Sequence, residues 1–154
     1  MKAIRQLLVV KVAGRRVAIP TDCILSVIQL EAVMPVPRAP VAVAGLAALR
    51  SRVLTVIDCA RVLDPAAPAA SAEGSEAVVI DIDEHGYALL VDAVEDVAEA
   101  PGDLMEVRAD LGPGWSGLAL GLADTATGPI LVVDAARIVA MSASSAAGCG
   151  RRAA

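Results

Sequence analysis

The chain has 154 residues, 56% of them hydrophobic, yet it holds no Phe, one Trp and one Tyr, so Val, Ile, Leu and Ala must fill any core. A mean hydropathy of +0.66 invites a membrane reading. The longest uncharged runs, Leu111 to Ala123 and Ile138 to Gly150, are only 13 residues each, short of the roughly 18 to 20 apolar residues a spanning helix needs.

The first element expected is a strand in "QLLVVKV", turned by "AGRR" into a second short strand, "RVAIP". A helical turn near Asp22 leads into the extended run "ILSVIQLEAVM". The loop "PVPRAP" cannot be regular, because its three prolines remove donors and restrict their neighbours. "VAVAGLAALR" leads into a strand, "SR" turns, and "VLTVID" is the next strand, with Asp58 as N-cap of the helical "CARVL". Residues 64–75, "DPAAPAASAEGS", read as a linker. The second half then gives "EAVVIDI", the turn "DEHG", "YALLV", "AVEDVAEA", an irregular stretch, "WSGLALGLA", the turn "DTATG" and "PILVV". Asp134 caps "AARIVAM". Residues 142–154 are low in complexity and are expected to be a disordered tail.

The start "MKAIRQLLVV" is cationic, but Lys11 interrupts its apolar stretch, so it does not read as an export signal. Cys23, Cys59 and Cys149 are widely spaced, and with one histidine (His85) they cannot form a Cys/His zinc site; buried thiols in a reducing compartment are expected. The net charge of −5 is uneven. Residues 1–63 hold nine Lys/Arg against three Asp/Glu, and residues 76–110 hold one against eleven. Two surfaces that attract each other, or two faces for two partners, both fit this pattern.

The chain repeats itself. "VAIPTDCILSV" is echoed by "ALLVDAVEDV", which aligns Asp22 with Asp92. "GLAALRSRVLTVIDCARVL" is echoed by "GLALGLADTATGPILVVDAARIV". Aligning Gly45 with Gly117 puts a hairpin turn four residues longer in the second copy. Two copies of a five-strand unit predict a mainly β fold: two packed five-stranded β-barrels with short capping helices, closed so that no edges remain. The expected organisation is one domain, 1–141, with one subdomain from 16–63 plus the strand 4–12 and a second from 76–141.

Catalytic constellations are missing. Asp58 and Asp134 stand where strands become helices, so capping explains them better than acid/base work. No nucleophile sits beside a base, no phosphate-cradling glycine motif occurs, and the scattered basic residues lack aromatic platforms for nucleic acid. Neither an enzyme nor a cofactor is expected. What remains is a partner surface, with Ile24, Val27, Val94 and Val97 as candidates to line an aliphatic groove between the barrels.

The stretch from Gly45 to Asp58 resembles the signature of the CheW-like family of chemotaxis coupling proteins, matching at Gly45, Leu49, Arg50 and Asp58. "VPRAP" resembles that family's Pro-bearing loop, and "YALLVDAVEDV" resembles its second typical segment through Val91, Asp92, Val94 and Val97. The resemblance covers residues 4–141. It departs at Ala48, Ser51 and Thr55, where the family carries Asn, Gly and Pro. A positive φ at Ser51 would cost about 1 kcal/mol. The resemblance implies a two-barrel, non-enzymatic adaptor. Its partners would be the cytoplasmic tip of a methyl-accepting chemoreceptor and the regulatory domain of a CheA-type histidine kinase. It would lie in the cytoplasm, recruited to membrane-associated receptor arrays without inserting itself. Arg50 would then sit near the receptor contact with Ile24, Val27, Val94 and Val97, and Leu49, Ser51 and Val53 would face the kinase. Gly45, Asp58, Gly117 and Asp134 would be structural. A diverged interaction module for another signalling partner, such as a response regulator, is the alternative reading.

Overall fold

Most strands of this chain carry continuous apolar runs because they have two cores to serve. Leu7 and Val9 of the first strand face one cluster of buried residues, while Leu8, Val10 and Val12 face another. The same alternation splits Val78 and Ile80 from Ala77 and Val79, and Leu131 and Val133 from Ile130 and Val132. Strands buried on both faces read as continuous apolar runs. This accounts for the high hydropathy, and no helix among the described residues is long and apolar enough to cross a membrane.

The computed structural model describes residues 4–69, 72–112 and 114–150. In chain order they form β1 (Ile4–Val12), β2 (Arg15–Pro20), a single helical turn Thr21–Cys23, β3 (Ile24–Gln29), β4 (Val43–Leu49), β5 (Arg52–Asp58) and α1 (Cys59–Leu63). The second half supplies β6 (Glu76–Ile82), β7 (His85–Leu90), β8 (Ala93–Pro101), α2 (Trp115–Leu118), β9 (Ala119–Thr125), β10 (Gly128–Val133) and α3 (Ala135–Gly150). The helix α3 therefore runs through most of the segment expected to be a disordered tail; 151–154 lie outside the described residues. His85 opens β7, paired with Ile82, and the turn itself is Asp83–Glu84.

Two five-stranded sheets result, in the orders β8-β1-β2-β10-β9 and β3-β6-β7-β5-β4. They do not close into barrels, which corrects the expected architecture. No ladder joins β8 to β9 or β3 to β4. A single bridge on each side, Met105 to Leu122 and Met34 to Leu46, partly laces the opening. The physical reason is that each chain segment after β3 or β8 reaches its opposite edge strand at one residue and then leaves as loop.

The sheets also do not follow the two halves of the sequence. The hairpin β1–β2 lies in the sheet with β8, β9 and β10, and the hairpin β6–β7 lies in the sheet with β3, β4 and β5. The expected grouping of 4–12 with 16–63 thus gives way to an exchange. Four ladders run within halves (β1–β2, β4–β5, β6–β7, β9–β10) and four run between them (β1–β8, β2–β10, β3–β6, β5–β7). The chain changes sheet at Thr21–Cys23 and again at Val91–Asp92.

Each sheet encloses a small core, lined by alanines such as Ala18, Ala100 and Ala123 in one and Ala47, Ala77 and Ala88 in the other. Narrow interiors of this kind leave no room for aromatic rings. The larger core lies between the sheets and includes Ile19, Ile57, Leu89, Val133 and Ile138, with Cys59 and Val62 of α1. Trp115 seals its end, and the Arg15 guanidinium lies 4.9 Å over the indole ring.

Candidate functional site

Leu49 and Arg52 close the two-residue turn between β4 and β5. Its left-handed residue is Arg50, at φ 58°; Ser51 is not left-handed, so the expected strain at Ser51 does not arise. Arg50, Ser51, Arg52 and Val53 are all exposed, and Val53 keeps 63% of its surface in solvent. Leu49 is half-buried against the inner core of its sheet. Arg52 pairs with Asp81 at 2.5 Å and covers Gly86, where a Cβ would come within 3.0 Å of Nη2. Arg50 has no ion-pair partner among the described residues. The fold thus gathers Leu49, Arg50, Ser51 and Val53 on one projecting hairpin, with a cleft of about 320 Å³ beside it, lined by Ile28–Ala32 and Ala47–Arg50.

The aliphatic candidates divide. Ile24 and Val94 pack against the core between the sheets. Val27 (40% exposed) and Val97 (52% exposed) stand on the outer strands of different sheets. Val97 lines a cleft of about 800 Å³. Its apolar surface comes from Val9, Val97, Ala98 and Pro101, and Asp96, Glu99 and Asp124 surround it. Arg16, also on this cleft, pairs with Glu95 at 2.6 Å. Sequence reasoning expected Val97 in a groove between the two units; the cleft it lines lies instead on one sheet, formed by β1, β2, β8 and the β9–β10 turn. The same reasoning missed Leu25 of β3 and Met34, apolar and 56% and 68% exposed. The two arginine pairs show how the basic first half meets the acidic second half. Both are surface pairs, worth at most about 1 kcal/mol each.

Asp58 is buried, and its Oδ1 accepts from the Ala60 N–H at 3.1 Å as the N-cap of α1; Asp134 Oδ1 accepts from the Ala136 N–H at 2.9 Å in the same way. The backbone repeats too, with Asp58 N–H donating to the Ala42 carbonyl and Asp134 N–H to that of Leu118. Gly45 has φ 151°, and a Cβ there would strike the Met34 carbonyl oxygen. Its structural counterpart is Gly121, not Gly117. Gly121 has φ 155°, and a Cβ there would lie 2.8 Å from the Met105 carbonyl oxygen. Gly117 lies instead in α2, beneath Met141. Gly45 and Gly121 both stand 13 residues before the capping aspartate, so the two copies align without a gap and the second turn is not longer. That equal spacing was the signal available in the sequence.

Cys59 is buried, as expected, but Cys23 is exposed on the turn before β3, which corrects the expectation of buried thiols there. Burial, then the charges of Asp58 and Asp92, push the Cys59 pKa far up; burial also raises that of Cys23, followed by Asp22. No group of three or more potential metal-ligating side chains occurs among the described residues. The arrangement offers surfaces, not reactive groups.

Residues 6–143 match the family model of the CheW-like domain. The chain belongs to the CheW-like family. In fold it is similar to the scaffolding protein TtCheW from Thermoanaerobacter tengcongensis, with a TM-score of 0.71 at 19% identity over 85% of this chain and 89% of that one. No curated protein matches it. Membership carries a scaffolding role of the chemotaxis kind in general, in a family of non-enzymatic proteins.

Proposed function

We propose that this CheW-like chain couples chemoreceptors to a CheA-type histidine kinase by binding both, with no chemistry of its own. The observation that carries the reading is the hairpin tip: at the family's motif positions Arg50 is exposed beside the exposed Val53, on a turn anchored by the half-buried Leu49. In this reading Leu49, Ser51 and Val53 meet the kinase regulatory domain. Arg50 and Val27 meet the receptor's helical tip, with Val97 as a further apolar contact, while Ile24 and Val94 hold β3 and β8 in place from beneath. The protein works in the cytoplasm, recruited to membrane-associated receptor arrays.

Titration calorimetry against the isolated regulatory domain of the cognate kinase tests this. Wild type is expected to bind at micromolar affinity or tighter, and Val53→Asp is expected to weaken binding at least tenfold without changing the thermal midpoint. Arg50→Ala is expected to reduce co-sedimentation with receptor membranes and kinase while the fold stays intact. A well-folded wild type that ignores the kinase domain but binds a response regulator would replace this reading with that of a diverged interaction module.

A further inference from the structure

The exchange of hairpins has a strong consequence for how this chain holds itself together. Residues 4–63 contain only two ladders of their own, β1–β2 and β4–β5, and residues 76–139 contain only β6–β7 and β9–β10. Isolated two-stranded hairpins are marginal in water at best. The strand β3 pairs only with β6, and β8 only with β1. Every core is mixed in the same way. Leu7, Val9 and Ala18 from the first half meet Ala123, Ile130 and Val132 from the second. Leu54 and Val56 from the first meet Val79 and Leu90 from the second. The described parts of the linker differ: 65–69 hydrogen-bond only to Asp64, through the N–H groups of Ala66 and Ala67, whereas Gly74 and Ser75 continue the β3–β6 pairing, the Gly74 N–H donating to the Leu30 carbonyl and the Leu30 N–H to the Ser75 carbonyl.

The two halves also match closely enough to be one unit written twice. From Ala44 to Leu63 and from Leu120 to Val139 the chain aligns without a gap, sharing Gly-Leu-Ala, the capping Asp and Ala-Arg. The strand bulges fall at matching places, Ala44 and Leu120, and both first hairpins turn through two consecutive left-handed residues, Ala13–Gly14 and Asp83–Glu84.

We infer that the two halves of this chain are obligate folding partners, each completing the other's sheet with a donated hairpin, and that residues 65–69 join them without holding them together. The slot between β8 and β10 fits one kind of partner, a hairpin apolar on both faces with alanine turned inward, as Ala18 is. The first half of a second copy of this chain meets that description as well as the native one does.

The test uses the full chain, with a specific protease site placed between Ala66 and Ala69 and cut after folding under reducing conditions. The two pieces are expected to elute together as one species of the uncut size and to keep the uncut far-ultraviolet spectrum. After unfolding in urea and dilution, tenfold lower protein concentration should slow refolding of the cut chain about tenfold and leave that of the uncut chain unchanged. Tagged and untagged cut chains unfolded and refolded together should yield hybrid pairs. Pieces that part or unfold on cutting, without denaturant, would show that the linker does the holding and overturn the inference. A refolding rate independent of concentration would overturn it too, because each half would then fold alone.

Discussion

The two sheets present the same opening with different furniture. In one, the gap between β3 and β4 is bridged once, at Met34, and ends in the tip Arg50–Ser51 beside a cleft of about 320 Å³. In the other, the gap between β8 and β9 is bridged once, at Met105, and ends in the tip Ala126–Thr127 beside a cleft of about 800 Å³. The first tip is cationic and left-handed, with an apolar side chain in the open. The second is neutral and tied down, since the Thr125 hydroxyl donates to the Gly128 carbonyl at 2.7 Å. Its cleft is ringed by carboxylates. The lesson is that duplication preserved the backbone wherever two backbones nearly touch or a helix must be capped. It let side chains drift wherever only solvent or a partner is touched.

The equivalence of the two copies can be broken at its tightest point. Gly45→Ala should cost about 3 kcal/mol or more and Gly121→Ala about 2, because the added Cβ meets the Met34 carbonyl more closely than its counterpart meets that of Met105. Gly117→Ala should change stability by less than about 1 kcal/mol, since its nearest neighbour, the Met141 thioether at 3.4 Å, can give way and Ala favours the helix. Urea unfolding of the three variants ranks them; a Gly117 variant as damaged as the Gly45 one would restore the alignment of those two residues.

A second difference between the copies is chemical. Cys59 stands where the other half has Ala135, each following a capping aspartate. The folded state holds the Cys59 proton well above the ordinary thiol range, so its contribution is fully present below the unfolded pKa of about 8.5 and fades above it. Stability should therefore fall by about 1.4 kcal/mol per pH unit from this group once the pH exceeds that value. Cys59→Ala should remove this slope while lowering stability at neutral pH. A thermal midpoint followed from pH 7 to 10 in both proteins checks it, and identical alkaline slopes would mean the thiolate is tolerated in place.

A modest effect lies at the caps. Asp134→Ala should cost about 1 kcal/mol, and Asp58→Ala somewhat more, because Asp58 is buried and Asp134 is partly in solvent. Equal losses in denaturant titrations would show that burial adds nothing to the cap.

Much of this was legible from composition and order of residues. Alternating aliphatics between Gly- and Pro-marked turns announce β-strands, Asp before a short aliphatic run announces a capped helix, and a repeated segment announces two related units. The hairpin turn was legible to within one residue, read at Ser51–Arg52 and found at Arg50–Ser51, since a turn between two strands is a local matter; singling out Leu49, Arg50, Ser51 and Val53 came from the family resemblance. Pairing across the halves is not local. The hairpin β1–β2 carries the same two-faced pattern whether it joins β3 or β8, and only the packing of three mixed cores chooses β8. The same holds for the open sheet edges and for the fate of Ile24, Val27, Val94 and Val97. Their residue types declare them apolar, but whether each lies under a sheet or on its rim depends on which strand lands beside it, a decision made by burial free energy summed over the whole molecule.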